Sequence, residues 1–317
     1  MRINTISPIS FKSSSLRQNN YNITKTKEEK IIVEDKNIPK ISLYNDYNIL
    51  TSKNTPITNT PISSQFSSEY FLQEGQVMGD NGRVFNRHTT SYARVDLNWK
   101  DLGAFLEERF KDTPKVSTYI YGCSYGEEAY SLLTLLSLRT KNPKKFFPIK
   151  AKDITPELIE RNAQRQSEGV ILSLEDIFKL CKGIGLTEEQ MIPMLSATKD
   201  NKIKIKNSCA KQVEFECANI LLDLDSIDSQ NPSIVMARNM WPYISPERYE
   251  EFAQNLYDKL AKGSVVIIGH FDNTGEREQK GTDSFPYYLQ EAGFKPTKKV
   301  MPLVPSIDDK PVVFVKD

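Results

Sequence analysis

Apolar residues recur at two periods along the chain, and from about residue 70 the two alternate. Trp99, Leu102, Phe105, Leu106 and Phe110 fall at spacings of three and four, the stripe of an amphipathic helix. Residues 117–121 form a short β-prone run that ends in a glycine-containing turn, and a helix-prone stretch over 127–139 follows. Residues 146–151 read as a second strand. Thr155-Pro156-Glu157 is then a helix start, with a capping hydroxyl, proline at the first helical position and an acid in the first turn. Residues 211–217 and 233–237 read as two more strands. Ser245-Pro246-Glu247 repeats the cap signal; Tyr249, Phe252, Leu256 and Leu260 give the helix its apolar face, and Gly263 ends it. A Val/Ile-rich run over 264–269 reads as a buried strand. Residues 285–291 form a short helix ended by Gly293, and 299–304 and 311–315 close the chain as two strands around a polar turn.

Strands alternating with helices imply a parallel sheet covered on both faces. The last two strands have no room for a crossover helix between them, so the final one is expected to run antiparallel. The expected architecture is α/β: a doubly wound, seven-stranded, mostly parallel sheet with one antiparallel strand. Ligands of such sheets sit beyond the carboxyl ends of the strands, where the strand order reverses. The residues just after each strand are therefore the candidates for chemistry.

Residues 1–68 differ in kind from the rest. Ser, Thr and Asn dominate, as in Ser13-Ser14-Ser15 and in Thr55-Pro56-Ile57-Thr58-Asn59-Thr60-Pro61. No period persists there, so the segment is expected to be a largely disordered tail and a candidate partner-binding element. Residues 69–317 are expected to form the folded domain. The apolar content of 38% is thus an average of a polar tail and an ordinary body. With 42 Lys and Arg against 41 Asp and Glu, the net charge is +1, which argues against a general nucleic-acid binder. No apolar run approaches the ~20 residues that span a bilayer, and residues 1–10 lack the pattern of a secretory signal. The four cysteines stand singly, as in a reduced cytoplasmic protein, and no metal site is expected.

The first strand end carries Gly122-Cys123-Ser124-Tyr125-Gly126-Glu127-Glu128-Ala129-Tyr130. Gly122 and Gly126 let a backbone turn pass close to a ligand, and a helix begins beyond it. A phosphate cradle would place Lys or Arg here; two carboxylates stand there instead. They suit a cationic or hydroxyl-rich ligand, or else they complement the helix dipole. Asp153 follows the second strand, where an acid commonly holds ribose hydroxyls, although it also stands where it could cap the next helix. Asn219-Ile220-Leu221 follows the third strand, Arg238-Asn239-Met240-Trp241-Pro242-Tyr243 the fourth, and His270 and Asp272 the fifth. Only two histidines occur, His88 and His270, which leaves little material for a Ser-His-Asp triad or a His-rich metal site.

The run from Gly122 to Ser131 resembles the first motif of the CheR-type chemotaxis-receptor methyltransferases, a GCSTGEEPYS-like sequence. Ala237-Arg238-Asn239-Met240-Trp241-Pro242-Tyr243-Ile244 is similar to their CRNVxIYF motif, and Gly269-His270-Phe271-Asp272 to their GHSE segment. Upstream, His88-Thr89-Thr90-Ser91-Tyr92-Ala93-Arg94 resembles NxTxFFR. Asp153-Ile154 and Val213-Glu214-Phe215 through Asn219-Ile220-Leu221 match intermediate blocks. Six blocks in order span residues 86–272.

The resemblance implies a class I, Rossmann-like, S-adenosylmethionine-dependent methyltransferase that acts on protein glutamate carboxylates, with S-adenosylhomocysteine as product. It places His88, Thr90, Arg94, Gly122, Glu128, Asp153, Asn219, Ile220, Arg238 and Asn239 at the cofactor. Glu128 would attract the cofactor's ammonium group and Asp153 would accept from its ribose. Arg94 and Tyr243 are the candidates for binding and orienting the acceptor carboxylate; the alternatives are that Arg94 is a cofactor ligand only and Tyr243 packs beneath its loop. Arg94 and Arg238 together would draw a carboxylate to a cationic methyl donor. The implied partner is an acidic, receptor-like protein in the cytoplasm, in a chemotaxis-related role.

The sequence departs from the family pattern in several places. The family's N-terminal helical domain is replaced by the polar tail. His88, Tyr92, Ala93 and Ala129 stand at positions of Asn, Phe, Phe and Pro, and the IYF turn is Trp-Pro-Tyr-Ile. Residues 168–212 read as a divergent insertion in place of the family's receptor-touching β-subdomain: capping signals at Ser173 and Thr187 predict two short helices, and only 202–206 alternates like a strand. Two further readings stand beside the carboxyl methyltransferase. One is an enzyme of the same fold with another acceptor; the other is a non-catalytic module that binds the cofactor.

Overall fold

The computed structural model describes residues 76–78, 84–86, 90–273, 284–303 and 310–317. The tail over 1–68 and His88 lie outside the described residues.

The first described elements are a two-stranded antiparallel pair, β1 (Gln76–Met78) and β2 (Val84–Asn86). Helix α1 (Trp99–Phe110) follows. Asn98 caps it by accepting from the Asp101 N–H at 3.1 Å, and its apolar stripe is buried as the spacing predicts. The main sheet then begins with β3 (Ser117–Tyr121), α2 (Glu127–Arg139), β4 (Ile149–Asp153) and α3 (Pro156–Glu168). A segment containing β5 (Ile171–Leu172), α4 (Leu174–Ile184), α5 (Glu188–Met191), β6 (Leu195–Ala197), β7 (Ile203–Ile205) and α6 (Asn207–Ala210) intervenes. The sheet resumes with β8 (Val213–Cys217), β9 (Ser233–Ala237), α7 (Tyr249–Lys259), β10 (Val265–Ile268), α8 (Phe285–Glu291), β11 (Lys295–Pro296) and β12 (Val313–Val315).

The seven-stranded order is β11-β12-β10-β9-β3-β4-β8. The chain starts at β3, steps outward through β4 to β8, returns to β9 beside β3, and steps the other way to β10. All four of those pairings are parallel. Strand β12 runs antiparallel to both β10 and β11, so it alone is reversed. The expected doubly wound sheet with one antiparallel strand is therefore the fold. Because crossovers in such sheets are right-handed, reversing the direction of travel moves the helices to the opposite face. Every residue of β9 and β10 is buried, and apart from Ser233 every one is apolar.

Several boundaries shift for identifiable reasons. The second strand starts at Ile149 rather than 146, because Pro148 has no N–H for the ladder. Ile149 instead makes the first bond, donating to the Gln212 carbonyl at 2.7 Å. The third strand starts at Val213, since a helical turn occupies 207–210. The terminal pair is corrected: the partner of β12 is Lys295–Pro296, directly after Gly293, and not 299–304. Thr297 donates to the Val313 carbonyl at 2.9 Å and ends that pairing.

The segment over 168–212 is also corrected. Both capping boxes form, at Ser173 and Thr187. Alongside those helices stands a three-stranded antiparallel sheet, β5-β7-β6, where one strand is expected from the pattern. Two- and three-residue strands are too short for a period of two to register. Among the described residues, no helix is long and apolar enough to cross a membrane.

Candidate cofactor and methyl-transfer site

Strands β3 and β9 are neighbours where the order reverses, so the turn after Tyr121 and the corner after Ala237 face each other across the switch point. The turn after β3 is tightly wound: Gly122 (φ 69°), Ser124 (φ 48°) and Gly126 (φ 85°) are all left-handed, a region open to glycine at little steric cost. It is held from several sides. Cys123 donates to the Lys152 carbonyl at 3.0 Å, the Ser124 N–H donates to Asp153 Oδ2 at 2.9 Å, and Asn162 Nδ2 donates to the Ser124 carbonyl at 2.7 Å. Gly122 is exposed at the top of the turn, and the buried Ser124 hydroxyl has no hydrogen-bond partner.

The two acids that open α2 have separate roles. Glu127 is braced by Thr90 Oγ1 at 3.4 Å and Arg165 Nη1 at 3.4 Å. Arg165 also donates to the Tyr125 carbonyl at 3.0 Å and the Tyr92 hydroxyl at 2.6 Å. It thereby ties the strand-end turn to the segment carrying Thr90 and Arg94. Glu128 points the other way and accepts from Arg238 Nη1 at 2.7 Å. The buried Arg238 also donates through Nη2 to Asp96 and lies 5.4 Å from the centroid of the Trp99 ring. Asp96 in turn accepts from Asn239 Nδ2 at 2.9 Å. Burial raises the Glu128 carboxyl, against the pull of Arg238 and Arg94.

The expectation that Arg94 and Arg238 jointly draw a carboxylate is corrected by this arrangement. Arg238 is already engaged by Glu128 and Asp96. Arg94 is half-buried and its Nε has no hydrogen-bond partner. Tyr243, in the 3-10 turn Trp241–Tyr243, is close enough for the Arg94 charge to act on its phenol, which burial raises above its ordinary range. It therefore remains a hydrogen-bond donor at neutral pH.

Asp153 takes the capping position ahead of α3. Its Oδ1 accepts from the Thr155 N–H at 3.0 Å and its Oδ2 from Ser124, and each carboxylate oxygen has capacity for a further donor. Asn219 Oδ1 accepts from the Leu221 N–H at 3.0 Å, which shapes the loop that buries Ile220. Trp241 is a core residue: it is fully buried and stacks on Phe285 with centroids 3.4 Å apart.

Thus Glu128, Arg238 and Asn239 are joined in one bonded chain, and Asp153 anchors the turn after Gly122. Asn219 and Ile220 share the neighbouring loop. Sequence reasoning missed Asp96 and Arg165: neither follows a strand or belongs to a spaced motif, and their partners are 142 and 38 residues away in the chain. Among the described residues, no group of three or more His, Cys, Asp or Glu is placed to hold a metal ion.

Solved structures similar to the chain include precorrin-6y C5,15-methyltransferase from Geobacter metallireducens GS-15. That protein is 12% identical over 62% of this chain and 73% of its own, with a TM-score of 0.32. Magnesium protoporphyrin IX methyltransferase from Synechocystis PCC 6803, solved with bound SAM, is 11% identical over 69% of this chain and 78% of its own, with a TM-score of 0.36. No curated protein matches the chain. The sequence profile described as "CheR methyltransferase, SAM binding domain" matches residues 88–285, from the segment bearing Thr90 and Arg94 through the strand ends to the start of α8. The chain belongs to the CheR methyltransferase family, and is an S-adenosylmethionine-dependent methyltransferase.

Proposed function

We propose that the chain transfers the methyl group of S-adenosylmethionine to a carboxylate, with a glutamate side chain of a protein as acceptor. The observation that carries this reading is the division of labour between the two arginines. Arg238 is held by ion pairs to Glu128 and Asp96, whereas among the described residues no ion pair holds Arg94, which stands beside a protonated tyrosine.

The residues at the strand ends fit the cofactor. Glu128 supplies negative charge for its ammonium group, Asp153 supplies acceptors for the ribose hydroxyls, and Asn219 and Ile220 border the adenine. The turn after β3 carries no Lys or Arg, as suits a ligand without phosphates. Thr90, Arg94, Gly122, Arg238 and Asn239 complete the set, with His88 assigned by the motif. The cofactor supplies an electrophilic methyl on a sulfonium. A glutamate is already ionised near neutral pH, with an ordinary pKa of about 4.3, so the protein needs no general base. Its work is alignment: Arg94 grips the incoming carboxylate and Tyr243 donates to it, orienting one oxygen. We assign this activity to residues 69–317, and partner recruitment in the cytoplasm to the tail over 1–68.

The test is transfer of labelled methyl from S-adenosylmethionine to acidic proteins of a lysate. Label released by mild base marks a carboxyl ester. Label that survives base would rule out the ester and point to another acceptor. Cofactor binding without any transfer would point to a non-catalytic module.

A further inference from the structure

The roles assigned so far use acids at the ends of β3 and β4. They leave unused a carboxylate at the end of β10, Asp272, which is fully buried. Its two oxygens accept three backbone N–H groups: Oδ2 from Gly269 at 2.6 Å and Asn239 at 2.7 Å, and Oδ1 from Trp241 at 3.2 Å. Two of these donors flank Met240, so one side chain closes the corner that leaves β9. That corner is wound through Asn239 at φ 56°, an uncommon conformation for a residue other than glycine. The close approach also needs Gly269. A Cβ there would lie 1.9 Å from Asn239 Oδ1 and 2.6 Å from Asn239 N.

We propose that Asp272 is the positioning residue for the ammonium-binding end of the cofactor site. It fixes the Asn239 backbone, Asn239 Nδ2 holds Asp96, Asp96 holds Arg238, and Arg238 aims Glu128. Asp272 acts through this relay without being placed at the ligand. The other end of the site has separate supports, since Asp153 is set by Ser124 and Thr155, and Asn219 by Leu221. The two ends are therefore separable. The inference rests on reading Glu128 as the ammonium partner and Asp153 as the ribose partner.

The separation supplies the test. S-adenosylhomocysteine carries an amino-acid moiety and a nucleoside; 5′-methylthioadenosine carries the nucleoside alone. In Asp272→Asn an amide replaces one acceptor oxygen with a donor facing backbone N–H groups. Calorimetry on the full chain should show S-adenosylhomocysteine weakened roughly tenfold or more. 5′-Methylthioadenosine should stay within about threefold of the unsubstituted protein, as expected for independent sites. Gly269→Ala should give the same signature by pushing Asn239 away.

A parallel loss of both ligands would make Asp272 a general fold residue and overturn the proposal, as would unchanged affinity for both. If the unsubstituted protein binds neither ligand, the reading of the cofactor site fails instead. Amide hydrogen exchange on that protein then decides the clamp by itself: slow exchange at Asn239 and Trp241 supports it, and exchange at the rate of exposed loops overturns it. The same measurement decides if both variants fail to fold.

Discussion

At the residue scale, adjacent acids of the same type have different fates. Glu127 braces the Thr90 and Arg165 side, whereas Glu128 is bonded to the buried Arg238. Removing Glu128 leaves a buried cation short of a partner. Glu128→Ala is therefore expected to destabilise the fold by about 3 kcal/mol in chemical denaturation, and to weaken S-adenosylmethionine binding in calorimetry. Arg94→Lys keeps a charge but loses the planar fork. It should lower kcat/KM for a carboxylate acceptor by about 10- to 100-fold while leaving thermal stability nearly unchanged.

Asp272 gives a pH prediction. Burial lifts its carboxyl to about 7, against three backbone hydrogen bonds and Arg238, whereas in the unfolded chain an aspartate titrates near 3.9. The folded state binds this proton more tightly. The associated stability is fully present below about pH 4 and is lost as pH rises through 7. Thermal midpoints measured from pH 5 to 8 should therefore show a falling component that Asp272→Asn removes. The neighbouring His270 is shifted downward by burial, and its contribution has the opposite sign. The comparison of the two proteins, not the raw slope, isolates Asp272.

At the element scale, the third-strand loop shows what the apolar pattern cannot carry. Lys152 interrupts the apolar pattern of β4, yet it is only 2% exposed. Its Nζ donates to Asp223 at 2.6 Å and Ser226 at 2.9 Å, and pairs with Glu216 at 3.1 Å; the Tyr121 hydroxyl donates to Asp223 at 2.7 Å. This network fastens the loop bearing Asn219 and Ile220 to the sheet, one residue away from Asp153. Lys152→Met is expected to cost about 3 kcal/mol and to lower affinity for 5′-methylthioadenosine, the probe of the proposed nucleoside end, as read by denaturation and calorimetry. Helix α1 was legible because five residues at helical spacing face one core. Strands β5 and β6 were not, because each is too short to display a period. The terminal strand lies where the pattern places it, but its partner is the Lys295–Pro296 step after Gly293 rather than the apolar run near 300.

At the scale of the whole molecule, the seven strands bring residues from 90 to 272 to one edge of the sheet. A chain beginning at Glu69 keeps every strand of that sheet. It should bind S-adenosylmethionine with nearly the affinity of the full chain, and any loss confined to capture of a protein partner would place that role in residues 1–68. Binding lost along with those residues would contradict the assignment of the cofactor site to 69–317.

The sequence by itself determined the alternation of strands and helices, the single reversed strand, and the ordered motifs at the strand ends. Those features are local: periods of two and 3.6, caps, glycine turns and short runs of specified residues. Tertiary structure alone decided which charges meet. The pairing of Arg238 with Glu128 and Asp96 joins residues more than 100 positions apart, and no local pattern records it. It separates an apparent pair of carboxylate-binding arginines: Arg238 is engaged by two acids, and Arg94 is not. The clamp of Asp272 on three backbone amides is of the same kind, because burial and approach distance exist only once β9 and β10 lie side by side.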